Sequence, residues 1–303
     1  MCTEYKGYLQ GGETECLGHE AVGTVVETDG VRSVKTGDRV VVMPQYPCGR
    51  CQLCLQGDYI FCEHLVDALR ETGNSTGTAT YAQLMIKPDW LLVKLPDDIS
   101  MDHGAMLNCG FGPGFGAARK LGLTSEVTVL ITGLGPVGLG TTVVAKWFGA
   151  RVIAVESSPY RVRLARELGA DEVLDPADPD ILRSIRDLTG GRGVDKVIEC
   201  SGAATAQRLA IDALRRLGRM AFIGEAGDLV VKVSQDFIRK GINLQGSWHY
   251  NLADTQPLLR VIREIGPQID RLVSHRFPMS HVEEAWQLQA SGECGKVLMY
   301  PWQ

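Results

Sequence analysis

The sequence predicts an α/β fold in which an irregular β domain precedes a six-stranded parallel sheet. Residues from about 20 to 100 are rich in Gly, Val, Thr and Pro, and short strand-like runs alternate there with turn signals. After Gly116, apolar strands alternate with amphipathic helices, which is typical of a parallel sheet covered by helices.

The elements of the sheet can be assigned in order. The predicted strands are VTVLIT at 127–132, RVIAVE at 151–156, and then EVLD, DKVIEC, RMAFIG and INLQGS. Helices are predicted over 139–148, from Ser158-Pro159 to Gly169, and over 180–188 and 205–216. A helix, a strand near 272–277, a helix with Trp286 and a final strand GKVLMY follow. We therefore expect domains at 1–116 and 117–255, and a return of 256–303 to the first domain.

Composition excludes several classes of protein. The 303 residues are 45% hydrophobic, and 31 basic against 36 acidic residues give a net charge of −5. Without a basic block, nucleic acid and an anionic membrane are not expected as partners. No apolar run approaches the roughly 20 residues of a membrane span, and the N-terminus does not resemble a signal peptide. A cytoplasmic protein is expected.

The strongest local signal is the run PCGRCQLCLQGDYIFC, which holds Cys48, Cys51, Cys54 and Cys62. Each C-x2-C step lets two thiolates converge on one ion, and the longer excursion returns a fourth. Four sulfur ligands complete a tetrahedral shell and leave no position for substrate. The run over 48–62 therefore predicts a structural zinc lobe.

Two other readings of this run are less well supported. Disulfides are less expected in a protein without a signal peptide, where clustered cysteines are more often metal ligands. An iron–sulfur site would continue with Cys-Pro after three intervening residues, but here Leu55, Gln56 and Gly57 are followed by Asp58.

A glycine-rich loop follows the first strand of the sheet. Gly133, Gly135 and Gly138 form G-L-G-P-V-G between a predicted strand and a helix, the context in which this pattern indicates dinucleotide binding. The glycines permit a tight turn, approach of the pyrophosphate and close helix packing, while the helix N-terminus offers free N–H groups. The intervening residues of the predicted phosphate site are Leu134, Pro136 and Val137.

The end of the second strand predicts the choice of nucleotide. Glu156 lies 23 positions beyond Gly133, where a carboxylate can accept hydrogen bonds from both ribose hydroxyls and repels a 2′-phosphate. NAD is therefore favoured over NADP, unless Glu156 is a solvated loop residue. Arg161 and Arg163 either accept a phosphate or form the polar face of the next helix.

Two further motifs hold candidate metal ligands. Gly18-His19-Glu20 precedes the strand AVGTVVE, and Cys109 lies in the glycine-rich run NCGFGPGFG. A lone His or buried Cys is more often structural, although an adjacent carboxylate can orient or share a ligand.

The order of these motifs resembles that of the zinc-dependent medium-chain dehydrogenases, the alcohol dehydrogenase superfamily, over nearly the whole chain. The resemblance implies a GroES-like β catalytic domain, here N-terminally shortened, and a six-stranded Rossmann domain, with the active site in the cleft between them. It implies that the four-Cys lobe is the structural zinc site. It also implies a catalytic zinc held by a Cys near the N-terminus, by His19 and by Cys109, with Glu20 beside it.

The N-terminal ligand of the catalytic zinc can be assigned in two ways. Aligning Thr3-Glu4 with the family's hydroxyl–acid pair places Met1 at the ligand position, whereas taking Cys2 as the ligand displaces Thr3, the expected proton-relay hydroxyl. The chain also opens without the strands that usually precede this ligand, so a shortened sequence is expected.

The resemblance implies an oxidoreductase that transfers hydride between a small alcohol, polyol or sugar and NAD(H), and that forms a homodimer or homotetramer. Cys109 in its glycine-rich context resembles the alcohol and formaldehyde branches, while the second half is similar to polyol and sugar dehydrogenases. Trp248, His249 and Tyr250 either line the substrate cleft or pack as a loop. The alternatives are a catalytically silent nucleotide-binding protein and a zinc-free reductase of the quinone oxidoreductase type.

Overall fold

The computed structural model describes residues 18–72, 80–225 and 227–303. The chain forms two compact units. Of the described residues, 18–72, 80–112, 249–286 and 297–303 form unit 1, and 113–225, 227–248 and 287–296 form unit 2. Each unit is built around its own sheet or sheets.

Unit 1 contains an antiparallel sheet in the order β1-β2-β3, with Ala21 opposite Val42 and Val41 opposite Val93. Val40 and Val41 of the central strand point to opposite faces of the sheet, and both are buried. The strands are β1 (Ala21–Thr24), β2 (Arg39–Val42) and β3 (Leu92–Lys94). Short helices connect them and follow them: α1 (Gln52–Leu55), α2 (Ala68–Thr72) and α3 (Met101–Ala105).

The C-terminal part of the chain adds a second, two-stranded sheet. Its helices and strands are α9 (Thr255–Glu264), α10 (Gly266–Leu272), β10 (Val273–Pro278), α11 (Val282–Ser291) and β11 (Lys296–Tyr300), with β10 and β11 paired. This order agrees with the predicted succession of helix, strand, helix and strand, with one additional short helix.

Unit 2 contains a six-stranded sheet in the order β6-β5-β4-β7-β8-β9, and every neighbouring pair is parallel. The order reverses direction beside β4, which is the doubly wound arrangement of two mononucleotide-binding halves. All six predicted strands are present: β4 (Thr128–Thr132), β5 (Arg151–Val155), β6 (Glu172–Leu174), β7 (Val194–Glu199), β8 (Leu214–Phe222) and β9 (Asn243–Gly246).

Helices pack on this sheet through their apolar faces. Ile181, Ile185 and Ile211 join Leu130 and Val197 of the central strands in one buried core. The helices are α4 (Gly112–Leu121), α5 (Pro136–Trp147), α6 (Pro159–Glu167), α7 (Ile181–Leu188) and α8 (Ala204–Ala213). Residues Val233–Ile238 add a single π-helical turn.

One predicted boundary is wrong. The helix expected over 205–216 ends at Ala213, because Leu214 is already paired with Val194 at the start of β8. Pairing to a buried parallel strand therefore overrides the helical propensity of the following Arg215 and Arg216. Among the described residues, no helix is long and apolar enough to cross a membrane.

Candidate metal and nucleotide sites

The four cysteines of the run 48–62 converge in unit 1. Cys51 precedes the first turn of α1 and Cys54 lies within it, so the helical turn brings their sulfur atoms to 3.5 Å from each other. A short 3₁₀ turn, Tyr59–Phe61, then returns Cys62, whose sulfur lies 3.9 Å from that of Cys51. All four sulfur atoms lie within 4.8 Å of one another.

This donor set fits a tetrahedral zinc ion. With Zn–S bonds of about 2.3 Å, sulfur atoms in a tetrahedral shell are separated by about 3.8 Å, close to the distances between these thiols. Backbone N–H groups also point at the sulfurs: the N–H of Cys54 contributes most to lowering the pKa of the Cys51 thiol, to about 6. Thiolate is the form that binds metal, so the backbone favours the ligand state of Cys51, whereas burial raises the pKa of the Cys54 thiol.

Hydrogen bonds from Asn251 and its neighbour connect this lobe to the C-terminal part of unit 1. Its side-chain amide donates to the Gln56 carbonyl and to the Asp58 carboxylate, both at 2.9 Å, and Leu252 N–H donates to the Gly57 carbonyl at 2.9 Å. Gly57 has φ +87°, and a Cβ there would lie 2.3 Å from the Asn251 amide oxygen. The lobe is therefore held on two sides, by its own turns and by Asn251.

The second cluster joins residues that are far apart in sequence. His19 and Glu20 immediately precede β1, while Cys109 lies in the turn between α3 and α4. The His19 Nε2 atom lies 3.0 Å from the Cys109 sulfur, and one ligand atom of each of the three side chains lies within 4.8 Å of the others. Nitrogen, oxygen and thiolate donors at this spacing fit zinc.

Strand register explains how this cluster forms. Ala21, directly after Glu20, pairs with Val42 of β2. The buried Asn108 donates from its side-chain amide to the Val42 carbonyl at 2.9 Å. Asn108 therefore ties the turn containing Cys109 to the strand that neighbours β1, which places Cys109 beside His19.

Cys2 and Thr3, the predicted first ligand and proton relay, lie outside the described residues. The three donors His19, Glu20 and Cys109 are therefore the part of the predicted catalytic set that the structure brings together.

Two further side chains, Tyr59 and His249, lie near this cluster. No sequence motif marks Tyr59, and His249 was expected either to line the substrate cleft or to pack as part of a loop. His249 is 3% exposed, has φ +55°, and places Nε2 3.6 Å from the Cys109 sulfur. Burial lowers its pKa to about 3, so the imidazole is neutral near neutral pH. Its ring stacks on Tyr250 and meets the edge of Tyr59, whereas Trp248 is 44% exposed.

The Tyr59 hydroxyl and the Nδ1 atom of His249 are two buried polar atoms of this group. Tyr59 is fully buried, and neither its hydroxyl nor His249 Nδ1 has a hydrogen-bond partner among the described residues. Burial, with further contributions from Tyr250 and Cys109, raises the pKa of the Tyr59 hydroxyl well above its usual range. An unpaired polar atom costs free energy in a protein interior, so such atoms point to a bound polar partner. No spacing rule connects Tyr59 to Cys109 in the sequence.

The glycine-rich loop lies at the carboxyl end of β4. Gly133 has φ +79°, which an L residue with a side chain adopts only with strain, and a Cβ at Gly138 would lie 1.9 Å from the Gly133 carbonyl oxygen. A Cβ at Gly135, in contrast, would meet no protein atom within 4 Å. Helix α5 begins at Pro136, and Leu134 and Val137 complete the loop and first turn. An open approach beside a helix N-terminus fits a phosphate group.

Glu156 forms a direct hydrogen bond with the glycine-rich loop. One oxygen of the Glu156 carboxylate accepts from Leu134 N–H at 2.8 Å, and the other accepts from Ser157 N–H at 2.8 Å and Ser158 N–H at 2.9 Å. The Ser157 hydroxyl also donates to that second oxygen, at 3.5 Å. A carboxylate has about four acceptor sites, two on each oxygen, so the oxygen that accepts from Leu134 N–H keeps capacity for a ligand hydroxyl. Arg161 instead directs Nε to the Cys294 carbonyl, at 3.4 Å.

Comparison with known proteins agrees with this arrangement. The model of the zinc-binding dehydrogenase family matches residues 136–264, and that of the alcohol dehydrogenase GroES-like domain matches residues 4–97. Sorbitol dehydrogenase of Halalkalibacterium halodurans is 33% identical over 98% of this chain and 86% of its own length.

Two solved structures are similar in fold. One is 2R,3R-butanediol dehydrogenase from Bacillus subtilis, with a TM-score of 0.81 and 28% identity, over 93% of this chain and 80% of the other. The second is a zinc-binding dehydrogenase candidate from Sinorhizobium meliloti bound to NADP, with a TM-score of 0.85 and 25% identity, over 99% and 87% of the two chains.

The chain therefore belongs to the zinc-dependent medium-chain dehydrogenase family. Its fold is a GroES-like domain with a Rossmann domain, and it is an oxidoreductase that uses zinc and a nicotinamide cofactor.

Proposed function

We propose that this protein oxidises a small alcohol or polyol, and reduces the corresponding carbonyl, with NAD(H) at a zinc ion held by His19 and Cys109. The observation that carries the proposal is the 3.0 Å approach of His19 Nε2 to the Cys109 sulfur, with Glu20 within ligand range of both. Relatives named for sorbitol and butanediol oxidation support the substrate class. Cys2 is proposed as a further ligand; in the alternative alignment, Thr3 is proposed as a proton relay.

The side chains of this cluster would hold the zinc ion in position for the reaction. When bound, zinc supplies Lewis-acid polarisation of the substrate oxygen, and the nicotinamide exchanges hydride with the substrate carbon. His19 and Cys109 hold their donor atoms at a fixed separation because Asn108 and the β1–β2 register anchor both segments. Glu20 adds a negative charge beside them, which would offset part of the positive charge of a bound zinc ion.

The buried polar atoms beside Cys109 favour a substrate with a second hydroxyl group. The Tyr59 hydroxyl can donate to or accept from such a group, and the neutral His249 can accept at Nδ1. A site that hydrogen-bonds a substrate hydroxyl discriminates against an analogue lacking it, because its own polar groups are then left unpaired. Vicinal diols and polyols are accordingly preferred over simple alcohols.

NAD is proposed as the nucleotide because of Glu156. Its carboxylate is fixed by three backbone N–H groups at the end of β5, so it cannot easily turn away from a 2′-phosphate. Repulsion between the two negative groups disfavours NADP. Arg161 is held at the Cys294 carbonyl, which does not favour a phosphate role for it.

A homodimer or homotetramer is proposed from the surface of unit 2. Leu217, Val230, Val233 and Ile238 are between 61% and 78% exposed. Leu217 lies in β8, and the other three lie in the segment between β8 and the edge strand β9. Burying such side chains against a second copy removes apolar surface from water. Analytical ultracentrifugation checks the assembly, and a purely monomeric protein at micromolar concentration would contradict it.

Zinc content together with a substrate screen tests the proposed function. We expect about two zinc ions per chain and NAD-dependent oxidation that is faster with vicinal diols than with the matched primary and secondary alcohols. One ion per chain with no turnover would contradict the proposal and favour a catalytically silent nucleotide-binding protein.

A further inference from the structure

Unit 2 contains a cavity of about 380 Å³ at the edge of its sheet opposite the glycine-rich loop. Gly193, which precedes β7, and Leu214, which begins β8, both line it. The strands run parallel, so their amino ends share one edge, whereas Gly133 follows the carboxyl end of β4. The cavity is therefore separate from the predicted nucleotide site.

Basic side chains dominate the walls of this cavity. They come from the last turn of α7, the loop before β7, the start of β8 and the segment after the π-helical turn, and they are Arg186, Arg192, Arg216, Arg239 and Lys240. Asp212 is the one carboxylate among the lining residues. A chain with a net charge of −5 thus concentrates five cationic groups around one small volume.

The nearby carboxylates Asp212 and Asp195 form ion pairs with arginines that do not line the cavity. Asp212 pairs with Arg208 at 2.5 Å, and Asp195, just inside β7, pairs with Arg215 at 2.6 Å. Neither Arg208 nor Arg215 lines the cavity. Within the described ranges, the four lining guanidinium groups form no ion pair. No carboxylate in the described part of the chain therefore neutralises their charge through an ion pair.

Lys240, the fifth lining cation, also forms hydrogen bonds with the backbone. Its ammonium group donates to the carbonyls of Ile211 at 2.6 Å and Asp212 at 3.1 Å, at the end of α8. Burial lowers the pKa of Lys240; among the neighbouring charges, Asp212 and Asp236 raise it, and Arg208 and Arg186 lower it further. Arg186 and Lys240 are thus close enough to repel each other, and a bound anion would reduce this repulsion.

We propose that this cavity binds a multiply charged phosphate anion, either inorganic polyphosphate or the polyphosphate group of a nucleotide, through Arg186, Arg192, Arg216 and Arg239. Guanidinium groups match phosphate oxygens in a bidentate geometry, and four of them around one volume suit a ligand with three or more negative charges. The cavity volume lies within the range of small-molecule sites.

Isothermal titration of the zinc-loaded enzyme, saturated with NADH and held at constant ionic strength, tests the proposal with tripolyphosphate as the probe. Saturating NADH blocks the predicted nucleotide site. We expect one saturable site per chain, and a dissociation constant at least about tenfold higher in the Arg192→Ala/Arg239→Ala variant. Both side chains are exposed, so the fold should tolerate their removal.

The matched control is Arg183→Ala. Arg183 is an exposed arginine of α7 that pairs with Asp187 and does not line the cavity. Tripolyphosphate should bind this variant as it binds the unmodified enzyme. Titration with ATP identifies the source: tighter binding than tripolyphosphate indicates a nucleotide, and equal binding indicates the polyphosphate group alone.

Three results would overturn the proposal. These are the absence of saturable binding, equal affinity of the double variant and the unmodified enzyme, and tighter binding of citrate than of tripolyphosphate. Thermal denaturation with and without tripolyphosphate gives an independent check, because the upward shift of the melting temperature should be absent from the double variant.

Discussion

The two metal clusters of unit 1 differ in how the chain assembles them. The first and last of the four lobe cysteines are 14 positions apart, and consecutive tight turns bring the four sulfurs together. His19 and Cys109 are 90 positions apart, and they meet because of the register of β1 and β2 and the anchoring hydrogen bond of Asn108. One site is therefore a local structure, while the other depends on the fold of the whole domain.

The clusters also differ in their chemistry. Four thiols complete a tetrahedral shell and leave no ligand position. The donors of the second cluster are one nitrogen, one carboxylate and one sulfur, and buried polar groups of Tyr59 and His249 lie beside them. A closed shell suits a structural role, whereas an open set with unpaired polar neighbours suits a site that receives a substrate.

The largest expected effect comes from breaking the second cluster. Cys109→Ala should lose one zinc ion per chain and lower kcat/KM by on the order of 10³-fold or more, because Lewis-acid polarisation contributes several kcal/mol. The lobe ion should remain. Metal analysis and steady-state kinetics check this, with Cys294→Ala as the control at a buried cysteine whose sulfur lies against the Leu288 carbonyl. Full activity with two ions would exclude Cys109 as a ligand.

Breaking the lobe should instead affect stability. Cys62→Ser should lose the lobe ion, keep the catalytic ion and lower the melting temperature. A cross-link over a loop of about 15 residues contributes roughly 3 kcal/mol, which corresponds to about 6–12 °C for a domain of this size. Differential scanning calorimetry with metal analysis measures both. A variant as stable as the parent would contradict a structural role for the lobe.

A smaller effect is expected at the nucleotide loop. Glu156→Ala removes an acceptor for the ribose hydroxyls and the repulsion of a 2′-phosphate, so KM for NAD should rise by about tenfold to a hundredfold while KM for NADP falls. Initial rates with both nucleotides measure the ratio. Glu172→Ala, an exposed glutamate at the start of β6, serves as the control. An unchanged NAD-to-NADP ratio in Glu156→Ala would refute the assignment.

The smallest predicted change concerns a single hydroxyl group. Tyr59→Phe should lower kcat/KM by about tenfold for a vicinal diol such as 2,3-butanediol and leave 2-butanol nearly unchanged, because only the diol has a second group for the Tyr59 hydroxyl. Tyr46→Phe is the matched control, since the buried Tyr46 hydroxyl donates to the Ile86 carbonyl. A parallel loss for both substrates would show that Tyr59 acts on the fold instead.

The parallel sheet was predicted in full because its signals are local. Apolar runs such as that of β4, turn residues such as Gly169, and the capping Ser158 each mark an element within a few residues. The helix α8 shows the limit of such signals. Its predicted end at 216 was wrong, because the pairing of Leu214 with Val194 is a contact between residues that sequence periodicity does not connect.

The same division holds for function. The four-sulfur lobe, the glycine-rich loop and the carboxylate at the end of β5 could be predicted from the amino-acid order alone, since the atoms involved are close along the chain or follow a fixed strand–helix spacing. The folded chain was needed to show that Cys109 meets His19 and that arginines from four segments surround one cavity. It was also needed to show that Tyr59 and His249 place buried polar atoms near Cys109, with no hydrogen-bond partner in the described part of the chain. Those contacts depend on strand register and packing, and spacing along a chain does not encode distances between segments that meet only after folding.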